Sequence, residues 1–366
     1  MGHKTRKIVR RIIMAGNLLV IIIMLSVGHI DRLNPVNHPM LANLGLGFPI
    51  LLVLNTGFLL IWIFFRRRLI WLPILGFLLC FGPIRKYIPF NLPKEKPHGS
   101  LKILSYNVFL FAPWNIPDGE PNPIIEYIIR SKADIVCLQE AGMQELREKD
   151  VINRLATHYQ YCDTTIKPVT RTECLMLLSH YPIIKKEIIP FNSKGNMTVA
   201  YLLNVRGIEM LVVNNHLESY NLSSQDKEGF KSLIRHPLPT HSAKGESTYL
   251  LKKLGEASAK RAPEAEAVSK YVKGYLDRHI PVIVCGDFND SPLSYVHRTM
   301  ARGLTDAYIS TGTGPGFSYH KSGMYVRIDH ILCSSDLEPY EARVDDRVKR
   351  SDHYPIYCWL KYRPRI

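Results

Sequence analysis

Pro281-Val282-Ile283-Val284-Cys285-Gly286-Asp287-Phe288-Asn289 is the stretch on which the reading of this chain turns. The apolar run Pro281–Cys285 predicts a buried strand, and it stops at a glycine followed by a carboxylate and an amide. Turn chemistry alone accounts for Asp287 and Asn289 when they are taken singly. The same arrangement recurs along the chain, however. Asn107 follows Lys102–Tyr106 within the β-like Leu101–Val108, Gln139-Glu140 ends Asp134–Leu138, and Asn215-His216-Leu217-Glu218 ends a hairpin. That hairpin runs Val199–Val205, turns at Arg206-Gly207 and returns over Ile208–Asn215. Asp329-His330 lies inside Arg327–Cys333, and Ser351-Asp352-His353 precedes Ile356–Leu360.

Each of these residues has a structural explanation as well as a chemical one. Glu140 suits a helix start, where the dipole favours an acid. His216 and His353, taken alone, are core histidines as readily as catalytic ones. Asp329 is harder to explain away, because an aspartate buried without a partner is costly. The ordered set decides the matter: six strand ends carry groups able to hold a hard cation or move a proton. Phosphate-ester hydrolysis needs such groups held rigidly along one sheet edge. Glu218 fits either a site role or a solvated loop.

Outward from these motifs, strands and helices alternate. Pro123–Ser131 places Ile124, Ile125, Ile128 and Ile129 at helical spacing. Cys174–Leu178 and Ile183–Ile189 are strand candidates, and a helix is expected from Ala257 to Leu276. No internal repeat or low-complexity tract interrupts residues 101–366. The pattern predicts one α/β sandwich domain.

Tyr106-Asn107-Val108, Leu138-Gln139-Glu140, His216-Leu217, Gly286-Asp287-Phe288-Asn289, Arg327-Ile328-Asp329 and Ser351-Asp352-His353 together resemble the endonuclease/exonuclease/phosphatase superfamily, in that superfamily's order. The resemblance covers roughly 101–362. It implies a four-layer sandwich of two mixed β-sheets flanked by helices. It also implies Mg²⁺, with Mn²⁺ as the alternative, bound chiefly by Glu140 with Asn107 beside it and Asp352 completing the polar site. Asp287 and Asn289 would align water and bind phosphate. Asp329 would fix the tautomer of His353, and His216 would contact the phosphate or leaving oxygen. Arg261, in Lys260-Arg261-Ala262, and Tyr319, at the end of the Thr311–Tyr319 loop, look like substrate-binding features of the family. The segment from Ser219 to Gly255 departs from a compact member; it reads as a surface loop with one solvated helix, or as a cover over the site or a contact with the bilayer.

The first ninety residues differ in kind. Ile12–Ile30 and Leu33–Phe65 carry no formal charge except Asp31 and Arg32 between them, and Leu69–Ile84 is a third, shorter apolar run. A spanning helix needs about 20 apolar residues, so the first two qualify. The third must borrow Tyr87, Ile88 and Phe90, with Arg85 and Lys86 snorkelling. No small-residue cleavage site follows the first run, which argues against a signal peptide. Five basic residues precede the first run and Arg66–Arg68 separate the second from the third, so both sides are expected to be cytoplasmic and the domain after residue 90 non-cytoplasmic. The expected organisation is a multi-pass membrane anchor over 1–90, a linker over 91–100 and a catalytic domain over 101–366.

Charge and cysteine content narrow the function. Residues 1–100 hold 13 of the 47 Lys and Arg but only Asp31 and Glu95 of the 32 acids, so the basic character lies in the anchor. A nucleic-acid-binding surface would concentrate it on the folded domain. No cysteine pair has CxxC spacing, which argues against a zinc site. Cys162 and Cys174 flank an expected turn and could pair in an oxidising compartment. The expected activity is therefore metal-dependent hydrolysis of a phosphoester at a membrane, with the lipid bilayer and the phosphoester as partners and no obligate protein partner. A membrane-tethered nuclease acting on nucleic acid is the alternative within the enzyme class. A catalytically inactive binding module on the same fold is the alternative outside it.

Overall fold

A computed structural model describes residues 3–363 apart from 113, 115, 117–119, 143–144, 168–172, 221, 224, 227, 230–240 and 322. Two six-stranded mixed sheets face each other. The first comprises β1 (Leu101–Asn107), β2 (Ile135–Gln139), β3 (Tyr161–Ile166), β4 (Cys174–Ser179), β11 (Leu337–Val344) and β12 (Ile356–Tyr362), in the order β11-β12-β1-β2-β4-β3. The second comprises β5 (Ile183–Ile188), β6 (Met197–Val205), β7 (Ile208–His216), β8 (Val282–Asp287), β9 (Leu304–Asp306) and β10 (Asp329–Ser334), in the order β5-β6-β7-β8-β10-β9. Each sheet has one parallel pair at its centre, β1 with β2 and β7 with β8.

Side-chain alternation produces the four layers. Ile103, Ile135 and Leu177 from one sheet meet Tyr201, Val212, Ile283 and Ile331 from the other in a buried inter-sheet core. The opposite face of the first sheet, with Leu104, Tyr106 and Val136, is covered by Ile124, Ile125 and Ile128 of the helix Pro123–Ser131. The opposite face of the second, with Leu211, Val213 and Val284, is covered by Ala265, Val268 and Val272 of the helix His241–Leu276. Strands covered on both faces read as continuous apolar runs, which is why β2, β4 and β8 were visible in sequence.

Several boundaries differ from expectation. The helix expected from Ala257 begins at His241. Tyr161–Ile166, Leu304–Asp306 and Leu337–Val344 are strands whose polar or short sequences concealed them. The Cys162–Cys174 pairing does not occur. In the β3–β4 hairpin Cys162 lies opposite Leu178 and Cys174 opposite Ile166. The two cysteines thus sit at opposite ends of the ladder, beyond disulfide reach, and all seven cysteines are free.

The N-terminal residues form an apolar bundle of α1 (His3–Gly28), α3 (Phe48–Phe65), α4 (Trp71–Leu79) and α5 (Phe81–Tyr87), with the short α2 (Pro39–Ala42) between the first two. Two of these helices are long and apolar enough to cross a membrane, or three spans if the bent pair α4–α5 counts as one. The third run is not one continuous helix: α4 and α5 meet at 62°. Pro83 lacks the N–H that would bond to Leu79, which explains the break. Inside the bundle, Asn17 Nδ2 donates to Asn55 Oδ1 at 3.2 Å, Trp62 Nε1 donates to Asn17 Oδ1 at 3.0 Å and Asn55 Nδ2 donates to the Pro73 carbonyl at 3.0 Å. Such buried amides join helices where lipid offers no competing partner. Residues 88–100 carry no helix or strand, and Asn91 Nδ2 donates to the Gly312 carbonyl at 2.6 Å.

Candidate active site

The parallel strands β1, β2, β7 and β8 end along one edge, and β10 begins there because it runs antiparallel to β8 with Asp329 opposite Asp287. Asn107, Glu140, His216, Asp287, Asp329 and His353, spread over the chain, meet at that edge.

Asp287 is at the centre. Its Oδ1 accepts the Asn289 backbone N–H at 2.8 Å and its Oδ2 accepts from Asn107 Nδ2 at 3.2 Å. Two imidazoles face it from either side: His353 Nε2 lies 3.6 Å and His216 Nε2 3.8 Å from Oδ2. Each ring is oriented by its own acid. Asp329 Oδ2 sits 2.8 Å from His353 Nδ1, and Glu173 Oε1 sits 2.8 Å from His216 Nδ1. Burial pushes the Asp287 carboxyl above its usual range although both histidines oppose this. Burial works against the His353 cation, but Asp329 and Asp287 outweigh it and hold the ring well above its usual value. For His216, burial is likewise outweighed by Glu173, Asp287 and Glu140, lifting it to about 10.

Glu140 follows β2 in a left-handed conformation, φ 50°. Its Oε1 accepts from Asn107 Nδ2 at 3.0 Å and lies 3.7 Å from His216 Nε2. Positive φ at a glutamate is strained, and strain of this kind persists where surrounding structure over-determines the residue. Asn289 shares the left-handed region, φ 51°, which asparagine tolerates better. Its Nδ2 donates to the Leu217 carbonyl at 2.9 Å.

A cavity of about 230 Å³ is lined by Glu140, His216, Asp287, Asn289, Asp352 and His353, with Tyr319 also on its wall. Tyr319 meets the His353 ring edge-on at 5.2 Å. Of the sequence-derived candidates, the structure brings all of these together with Asn107 and Asp329. Arg261 stands apart. Its fully buried guanidinium reaches Asp290 Oδ2 at 3.3 Å, the Glu218 carbonyl at 2.8 Å and Ser258 Oγ at 2.9 Å, and it covers the Tyr220 ring at 4.1 Å. It braces the loop behind the site rather than facing the cavity.

Sequence reasoning missed Glu173, since nothing local links it to a histidine 43 residues away. It also missed two serines that tie the edge together. Ser351 Oγ donates to the Asn107 carbonyl at 2.7 Å, and Ser318 Oγ accepts the N–H groups of Ile328 and Asp329, both at 3.0 Å.

The oxygen-rich set of Glu140, Asn107 and Asp352 fits a hard divalent cation. Glu140 is the only acid of the set whose carboxylate combines partial exposure to the cavity with a fixed hydrogen-bonded orientation, its side chain being 29% exposed. Asp287, Asp329 and His353 form a second grouping with ligand atoms within 4.8 Å of one another, but its short Asp329–His353 contact is that of a hydrogen-bonded pair. His297, Asp306 and His330 form a separate buried group behind the site, joined by a 2.8 Å contact between His297 Nε2 and Asp306 Oδ2.

The same architecture occurs in known proteins. Residues 104–353 match the Endonuclease/Exonuclease/phosphatase family, and residues 10–87 match a domain of unknown function, DUF8431. No curated protein sequence matches the chain. Among solved structures, D. rerio TDP2 complexed with a single-strand DNA product is similar at TM-score 0.51 and 17% identity, covering 72% of this chain and 99% of that one. The human Nocturnin catalytic domain with bound sulfate is similar at TM-score 0.51 and 16% identity, covering 74% and 96%. Truncated Caenorhabditis elegans TDP2 is similar at TM-score 0.50 and 16% identity, covering 72% and 97%. At these identities the solved structures speak for the fold, whereas the family match covers most of the chain. This protein belongs to the endonuclease/exonuclease/phosphatase family.

Proposed function

We propose that this chain is a divalent-metal-dependent phosphoesterase displayed from a membrane on the non-cytoplasmic side. The observation that carries the reading is the placement of two acid-oriented imidazoles on either side of the buried Asp287 carboxylate, next to the Glu140–Asn107 pair. Asp287, fixed by the Asn289 and Asn107 N–H groups, positions a water and accepts its proton. His353, oriented by Asp329, and His216, oriented by Glu173, present N–H groups to the phosphoryl oxygens. Donors held in place before the reaction stabilise charge as it develops. Glu140, Asn107 and Asp352 would hold Mg²⁺ or Mn²⁺, which supplies neutralisation of phosphate charge.

The experiment is hydrolysis by the purified full chain of a panel of phosphodiesters and phosphomonoesters. Glu140→Ala, Asp287→Ala and His353→Ala should each cut turnover about 10²-fold or more without loss of fold. Chelator should abolish turnover and Mg²⁺ or Mn²⁺ restore it. Near wild-type turnover in all three folded variants would sink the assignment. A membrane-tethered nuclease is the second reading, favoured by the similarity in fold to a TDP2 complexed with single-strand DNA product.

A further inference from the structure

The loop joining α1 to α3 is part of the catalytic cleft. Asn43 in that loop donates through Nδ2 to Ser258 Oγ at 3.1 Å and accepts from the Tyr220 hydroxyl at 3.0 Å. Gly45 packs so closely that a Cβ there would lie 3.2 Å from the Leu293 carbonyl, and a Cβ at Gly255 would meet the Pro39 carbonyl at 2.4 Å. Leu293 of the catalytic domain shares one apolar cluster with Met24, Val27, Phe48 and Cys80 of the bundle. Asp31, also in this loop and buried, receives Lys86 at 2.7 Å and Arg298 of the catalytic domain at 3.6 Å. Arg327, two residues before Asp329, donates to the Lys86 carbonyl. The domain is thus seated directly on one end of the apolar bundle.

One consequence is chemical. Leu46, two residues before the apolar helix Phe48–Phe65 begins, lines the same cavity as Glu140, Asp287 and His353. Leu222, Leu254, Met324, Val326 and Ile328 complete an apolar wall facing those polar groups. A small hydrophilic phosphoester uses only the polar half and leaves the wall wet. A substrate with a phosphoester head and an alkyl chain covers both, and burying apolar surface drives its binding. On α3 itself, Ile50 and Val53 are 62% and 71% exposed, as suits a helix face turned to lipid. The wall and the lipid-facing helix are therefore continuous in the chain.

We infer that the substrate is a phospholipid-like amphiphile of the bilayer in which the anchor sits, taken into the cleft along the wall that contains Leu46. The inference rests on the phosphoesterase reading above. In the reaction the hydroxyl of water joins phosphorus, the ester P–O bond breaks, and the remaining water proton ends on the leaving oxygen. The apolar part of the substrate stays against Leu46, Leu254 and Met324 throughout.

The test uses the full chain with Mg²⁺ in vesicles containing phosphatidylcholine, phosphatidylethanolamine, phosphatidylglycerol and phosphatidic acid. Parallel arms use the corresponding deacylated glycerophosphoesters, bis(p-nitrophenyl) phosphate, and single- and double-stranded DNA. The inference expects kcat/KM for at least one acylated lipid to exceed that for its deacylated counterpart by about tenfold or more, since about two buried methylenes suffice for that factor. It also expects Leu46→Asp to lower that ratio by a similar factor. A short-chain to long-chain series on the wild-type protein gives the same information if Leu46→Asp fails to fold. Equal rates with and without acyl chains, or cleavage of DNA with every lipid untouched, would overturn the inference while leaving the phosphoesterase standing. No turnover of any arm with metal present would overturn both.

Discussion

At the scale of single residues, the site is a set of charges that restrain one another. Asp287 tolerates burial because two imidazoles face it, and each imidazole stays oriented because a second acid holds its Nδ1. Behind this set Glu264 shows what burial does without such balance. Its Oε2 accepts the Glu218 backbone N–H at 2.8 Å, yet burial pushes its carboxyl from 4.5 up to about 7, against the pull of that hydrogen bond and of Arg261. A folded value above the unfolded one means the folded protein keeps the proton longer. Ionising Glu264 therefore costs stability increasingly as pH rises from about 4.5 through about 7, and the cost is fully present above that. Glu264→Gln retains the acceptor and removes the cost. It should raise the unfolding temperature at pH 8, by the equivalent of up to about 3 kcal/mol, and have little effect near pH 4.5. Thermal unfolding of both proteins at the two pH values checks this; equal stability at pH 8 would contradict it.

At the scale of elements, close backbone approach fixes where strands end. Gly286 sits at φ 132°, and a Cβ added there would lie 2.0 Å from the Asn215 carbonyl on the neighbouring β7. No side-chain rotation relieves a clash with backbone, so β7 and β8 would have to separate where they deliver His216 and Asp287. Gly286→Ala should destabilise the domain by about 3 kcal/mol or more, or prevent folding, and abolish hydrolysis. Chemical denaturation read by tryptophan fluorescence would decide it; wild-type stability would show that the strands yield cheaply. The β6–β7 turn is a contrasting case. Arg206 and Gly207 both have positive φ, 56° and 86°, as a two-residue hairpin turn requires, and their dipeptide was enough to predict it. The helix His241–Leu276 is the opposite: the sequence over its first sixteen residues lacks a sustained apolar stripe, and the packing under β7 and β8 is made by its later residues Ala265, Val268 and Val272.

At the scale of the whole molecule, the contacts between anchor and domain bear on topology. The loop carrying Asp31, Asn43 and Leu46 touches the catalytic domain, so both lie on one side of any membrane the bundle crosses. If α1 and α3 each span, the chain at Arg66–Arg68 is on the other side, and α4–α5 must cross to bring the domain back. Basic loops are retained in the cytoplasm, so the proposed topology has the domain outside. An alkaline-phosphatase fusion after residue 95 should be active and a cytoplasm-only fluorescent fusion at the same point dark. The reverse pattern would mean that the whole bundle is inserted the other way round, because the docked loop keeps Asn43 and the domain on the same side.

Much of this was legible in the chain before folding was considered. Polar residues ending apolar runs pointed to Asn107, Glu140, His216, Asp287, Asp329 and His353, because a buried strand must be apolar and polar side chains are tolerated at its end, so the change of character marks the sheet edge where these residues meet. Apolar length and the absence of charge announced the bundle in the same way. What the order of residues could not carry was distance through space. Glu173 becomes the partner of His216 only when β4 and β7 stand in facing sheets, and Arg261 turns inward only when Asp290 and Tyr220 close around it. Leu46 enters the cavity at the sheet edge only because a loop of the apolar bundle docks on a domain that starts about fifty residues later. Local composition determines which elements form and where chemistry can reside, since both follow from burial of short segments. Which side chains meet is decided by the packing of segments far apart in sequence, and only the tertiary structure contains it.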